Sequence, residues 1–66
     1  MFNEYDCVRL TEDLTNDLKA GTRGTIVMIH EGPPVGYTVE LFDDSGETIG
    51  VETVVDSQIE VDEHAS

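Results

Sequence analysis

Sixty-six residues make one small domain, and a chain this short buries only about 60% of the surface its unfolded form exposes, which leaves no room for a separate catalytic cleft. Fifteen acidic residues oppose Arg9, Lys19 and Arg23, for a formal net charge of -12. Neutralising phosphates takes clustered Lys and Arg, so this balance argues against nucleic acid and against an anionic membrane as partners. The same field would steer association toward a basic protein, although acidity also serves solubility alone.

The single cysteine, Cys7, excludes an intramolecular disulfide, and a secreted domain of this size usually carries several. A cytoplasmic setting is therefore expected. The start, MFNEYD, has neither a basic nor an apolar leader region, and the longest apolar run, IVMI, is far short of a membrane span.

Along the chain, short alternating runs are separated by turn residues, the pattern of a small all-β domain. YDCVRL, Tyr5 to Leu10, alternates and predicts a first strand. TEDLTNDLKA follows, with Leu14 and Leu18 four apart; the expectation is a folded-over loop pinned by the two leucines, because ten residues barely sustain a helix. Gly21 and Gly24 lead into GTIVMIH, Gly24 to His30, the most β-branched run and the expected central strand.

EGPPVG, Glu31 to Gly36, interrupts any helix or ladder with two prolines and two glycines. YTVELF, Tyr37 to Phe42, then alternates cleanly, with Tyr37, Val39 and Leu41 on the core face. DDSG, Asp43 to Gly46, reads as a hairpin turn. In the fourth strand, Glu47 to Val54, Ile49, Val51 and Thr53 are expected to share a face, with Glu52 toward solvent. VDSQ suits a 3₁₀ turn before a closing strand, Gln58 to Val61. Residues 1–61 are thus one domain and 62–66 a frayed tail.

Five strands, one long first loop, two hairpins and a 3₁₀ turn before the last strand describe a small five-stranded SH3-like barrel, in which closure protects the sheet edges. A residual edge would leave a homo-oligomer open.

AGTRGTIVMI, Ala20 to Ile29, resembles the glycine-led strand of KOW-type and related SH3-like barrels. VRLTEDL, LKAGTRGTIVMI, YTVELFDDSGET and VDSQIEV together, in order and spacing, resemble a family of small bacterial domains of unknown function, over Tyr5 to Val61. The resemblance implies a stand-alone barrel without established enzymatic activity, with relatives among mobile and accessory genes, some near toxin-like genes. It carries over no functional residue. RNA-binding KOW proteins use basic loops, which this chain lacks.

The glycine pair is not a phosphate loop: Gly24 is followed by Thr25 and a β-branched strand rather than Lys-Ser/Thr and a helix. A turn needing unusual φ at one or both glycines accounts for it. Asp43, Asp44 and Glu47 could coordinate a hard cation, the basis of an alternative reading as a metal-dependent accessory protein or small enzyme, but a hairpin turn explains the same letters. Cys7, His30 and His64 lack the paired spacing of a zinc site. Cys7 and His30 have no orienting third group that would make them a nucleophilic pair, and Cys7 reads as a half-buried strand residue.

No catalytic residue, metal ligand or cofactor site is expected. The expected function is a non-enzymatic interaction module, of antitoxin, immunity or accessory type, that binds a basic protein. Its candidate partner surface comprises Phe2, Tyr5, Pro33, Pro34, Phe42, Asp43 and Asp44.

Overall fold

The computed structural model describes residues 2–63. Five strands form one antiparallel sheet: β1 (Cys7–Leu10), β2 (Arg23–His30), β3 (Gly36–Phe42), β4 (Thr48–Val55) and β5 (Ile59–Val61), with a 3₁₀ turn at Asp56–Gln58. The sheet order is β4-β3-β2-β1-β5, so β4 and β5 are its two edges. The sheet is open: β4 does not pair with β5, and the expected closure is corrected. Closing a sheet takes a strand tilt and stagger that bring its two edge strands together, and here the pairing ends at β4 on one side and β5 on the other.

The core lies on one face. Val8, Leu10, Leu18, Ile26, Tyr37, Val39, Leu41, Val54 and Ile59 are buried there, with Phe2, Leu14 and Ile29 packed against them. Directly opposed residues of an antiparallel pair share a face. The register therefore builds inner rows: Val8, Gly24, Leu41 and Gly50 in one, Ile26, Val39 and Glu52 in the next, Ile29, Tyr37 and Val54 in the third. Tyr37, Val39 and Leu41 face the core as expected.

The face assignment of β4 is reversed. Val54 is buried, while Ile49, Val51 and Thr53 are exposed on the outer face. The strand offers apolar residues on both sides, and its pairing with the buried residues of β3 decides which side turns inward. A bulge at the Leu41/Phe42 end sets Phe42 against Thr48.

Residues 11–20 form the leucine-pinned loop. Thr15 Oγ1 accepts from the N–H of Asp17 and of Leu18, and Asp13 Oδ1 accepts from the N–H of Ala20. These side chains offer backbone donors partners outside a helix. Leu18 becomes buried, and its methyl carbons lie over Gly50.

The two glycines that lead β2 serve different needs. Gly21 has φ +91°, the left-handed region that glycine enters at little cost. Gly24 has no such φ; a Cβ there would meet Val39 Cγ1 at 2.6 Å and the Glu40 carbonyl at 2.7 Å. Close strand packing, not a turn, selects the second glycine.

Asp62, expected at the head of a frayed tail, is 3% exposed. Its N–H donates to the Cys7 carbonyl, extending the β1–β5 pairing by one bond. His64 and the rest of the expected tail, 64–66, lie outside the described residues.

Candidate functional site

The candidate surface residues separate into three places. Phe42, Asp43 and Asp44 line a shallow groove of about 840 Å³ with Gly21, Arg23, Gly46 and Ile49, so the glycine-led loop and the acidic hairpin turn face each other across it. Pairing of Arg23 with Phe42 across β2 and β3 draws these two loops together.

Phe2 belongs elsewhere. Its ring meets Tyr37 edge to face, with centroids 5.4 Å apart at 86°, beside a hollow of about 410 Å³ shared with Ile29, Val35 and Asp56. Pro33 and Pro34, joined by a cis peptide bond, are exposed in the 31–35 loop, whose Glu31, Gly32 and Val35 edge that hollow. Tyr5 stands apart, 73% exposed at φ +69° just before β1.

Electrostatics divides these residues further. Asp43 Oδ1 accepts from Ser45 N–H at 2.9 Å, Ser45 Oγ at 2.7 Å and Glu47 N–H at 3.0 Å. The Ser45 hydroxyl, and then the turn amides, hold the Asp43 carboxyl below its ordinary pKa. One of its oxygens is thus committed to closing the β3–β4 turn. Among the described residues, no three His, Cys, Asp or Glu side chains come together to hold a metal ion. Asp43, Asp44 and Glu47 lie in the β3–β4 turn, where the Asp43 N–H donates to the Glu47 carbonyl.

Cys7 is exposed rather than half-buried. His30 Nε2 is engaged with Thr38 Oγ1 at 2.7 Å, which in turn meets Thr53 Oγ1 at 3.2 Å across the outer face. That network gives His30 a structural partner.

Two features escape a reading of letters alone. The first is where the positive charge goes. Arg9 Nε meets Glu60 Oε2 at 2.6 Å, and Arg23 Nε meets Asp62 Oδ2 at 3.2 Å, with Arg9 Nη1 3.9 Å from Asp62 Oδ1. The hydrogen bond to Glu60 chiefly raises the Arg9 pKa. Setting Glu60 and Asp62 against the two arginines leaves thirteen of the fifteen acids opposed by Lys19. Strand pairing was the available signal, since an i-to-j neighbour such as Arg9 and Glu60 follows once β1 and β5 are aligned.

The second is the contrast between the edges. β5 is three residues long, whereas β4 has eight and contains neither proline nor lysine. On the outer face beside it, Val51 is 56% and Met28 52% exposed.

A family model described as "Domain of unknown function (DUF4926)" matches residues 4–61. Among curated proteins and solved structures, nothing matches the chain. No helix among the described residues is long and apolar enough to cross a membrane.

Proposed function

The chain belongs to the DUF4926 family of domains of unknown function, and from that premise we propose that it is a non-catalytic interaction module that binds a basic protein. The observation that carries this reading is the pairing of both arginines, Arg23 from a largely exposed position, with acids of the same chain. With Arg9 and Arg23 engaged by Glu60 and Asp62, the acid surplus faces solvent essentially unneutralised. Such a field raises the encounter rate with positively charged proteins and lowers it with nucleic acids. The groove between the glycine-led loop and the acidic turn adds apolar lining, Phe42 and Ile49, beside Asp43 and Asp44.

The same reading includes a cytoplasmic location, supported by the lone cysteine, and an SH3-like topology. The order β4-β3-β2-β1-β5 and the 3₁₀ turn between β4 and β5 support that topology in an open, unclosed form. Neutralisation of a basic toxin-like protein is the form of partnership that the resemblance to accessory-gene domains favours.

Capture from the native host at low and at high salt tests the proposal. A basic protein retained at low salt and released at high salt is the expected result. The Asp43→Lys/Asp44→Lys bait should retain less of it. Absence of any salt-released basic partner sinks the reading.

A further inference from the structure

We propose that the free edge of β4 is a strand-addition site, which takes an extended segment of the partner carrying alternating basic and apolar residues. The inference rests on the reading above, that the partner is basic, and adds how its backbone is held.

The backbone geometry comes first. Val55 N–H donates to Gln58 Oε1 at 3.0 Å, and so points away from β3. Along an antiparallel strand, the side to which N–H and C=O point alternates residue by residue. Thr53 and Val51 therefore direct their N–H and C=O groups to the same free side. Such a row is a template for another strand, and natural proteins blunt it with lysine, proline, extreme shortness or inward-pointing charge. The opposite edge, β5, is short. β4 is long, β-branched and without lysine or proline; the bulge near Thr48 lies at its start, and between Gly50 and Val55 the blunting feature is Glu52, a half-buried acid on the inner face.

Charge selects the occupant. Glu47 and Asp56 bracket β4 and Glu52 lies within it, with no basic residue from Glu47 to Asp56. A second copy of this chain would bring its own carboxylates against these, on top of the general repulsion of two -12 subunits. A strand with Lys or Arg across from Glu52 and toward both ends converts the same acids into partners. Its other face would set apolar side chains beside Val51, where cross-strand pairs stabilise a sheet. Glu52 thus bars self-pairing while admitting a basic strand.

The test uses the full chain, isotope-labelled, titrated with an acetylated and amidated octapeptide alternating Val and Lys. Controls are the same peptide with a central proline and an octapeptide of Lys and Gly with equal charge. Expected are preferential binding of the Val–Lys peptide, slowed amide exchange at Val51 and Thr53, and at least a tenfold loss of affinity in Val51→Pro. That substitution removes an N–H that β3 does not use. Where Val51→Pro does not fold, Glu52→Lys serves instead, and should weaken the basic peptide at least tenfold while favouring a Val–Glu peptide.

Equal binding of all three peptides, or binding that leaves the Val51 and Thr53 amides and both variants unaffected, overturns the edge site. A wild-type dimer at low salt that Val51→Pro converts to monomer also overturns it, in favour of a second copy. A Val51→Pro bait that still captures the salt-released host protein overturns the edge and leaves the basic-partner reading standing. Loss of that captured protein from every bait overturns the reading itself.

Discussion

Leu18 lies directly over Gly50: a Cβ on Gly50 would sit 3.2 Å from Leu18 Cδ1 and 3.4 Å from Cδ2. The loop between β1 and β2 thereby supplies a core residue to the far end of the sheet, onto the strand at the opposite side of the chain's topology. Without Leu18 the inner face over Gly50 and Leu41 opens to water. Leu18→Ala should therefore cost about 2–5 kcal/mol, the range for large-to-small core changes. Leu14→Ala, only partly buried, should cost less. Urea unfolding of the two variants checks the order.

The glycines at 21 and 24 should respond differently to the same substitution. At Gly21 nothing lies within 4 Å of an added Cβ, so Gly21→Ala should cost about 1–2 kcal/mol for the left-handed backbone alone. Gly21→Asn should recover part of that, because Asn tolerates this region better than Ala. At Gly24 the Cβ would strike the Glu40 carbonyl, which no rotamer change can move. Gly24→Ala should cost about 3 kcal/mol or more. Total stability for 66 residues is only about 3–10 kcal/mol at typical values per residue, so this variant should lose a large share of it and melt well below both Gly21 variants by circular dichroism.

That pair also marks how far the letters reach. Strand positions, both hairpins, the leucine-pinned loop and the 3₁₀ turn follow from alternation and turn chemistry, which are local. Tyr37, Val39 and Leu41 were legible as core because Thr38 and Glu40 alternate with them. β4 was not, since Ile49 and Val51 look as buriable as Val54; its face is set by β3 register and by Leu18 filling the space above Gly50. Closure failed for a similar reason: strand count is local, while closure depends on tilt and stagger accumulated across all five strands. Of the candidate surface, Phe42 and Asp44 were legible as neighbours of a turn. The opposing glycine loop and the free edge of β4 became visible only with pairing.

Chain truncation after Val61 tests whether Asp62 belongs to the fold. It removes the bond from Asp62 N–H to the Cys7 carbonyl and the carboxylate that faces Arg23 and Arg9. Arg23 is largely exposed, so solvent screens that contact and its share is small. A loss of about 1–3 kcal/mol is expected, mostly from the backbone bond and the contacts of the buried carboxylate. The chain truncated after Glu63 keeps Asp62 and is the reference. Equal melting of the two truncated chains would contradict this account.

The acid limb of stability should carry the signature of Asp43. Its folded pKa is lowered, chiefly by Ser45 Oγ and then by the turn amides, so the unfolded chain binds more protons in the window between the two values. The stabilisation is present above the ordinary Asp value of about 3.9 and is lost as pH falls through the folded value. Asp43→Asn keeps an oxygen acceptor but does not titrate. Its urea midpoint should fall less than the wild type's between pH 5 and pH 2, and Ser45→Ala should move the wild-type limb toward higher pH.

At the alkaline end the relevant group is Tyr37. Its hydroxyl is hydrogen-bonded to Asp56, and this bond, followed by burial and the Asp56 charge, raises its pKa above the ordinary 10.0. The charged form of tyrosine is the deprotonated one, so the native chain keeps a proton that the unfolded chain gives up. Stability is therefore complete below about pH 10 and declines as pH rises toward the folded value. Absorbance titration in a Tyr5→Phe background isolates this residue, since these are the chain's two tyrosines. The expected curve has its midpoint above 10 and steepens where unfolding exposes the phenol. Asp56→Asn should bring the midpoint down by removing the carboxylate while leaving the 3₁₀ turn in place. A midpoint indifferent to Asp56 would show that burial, and not the hydrogen bond, holds the proton.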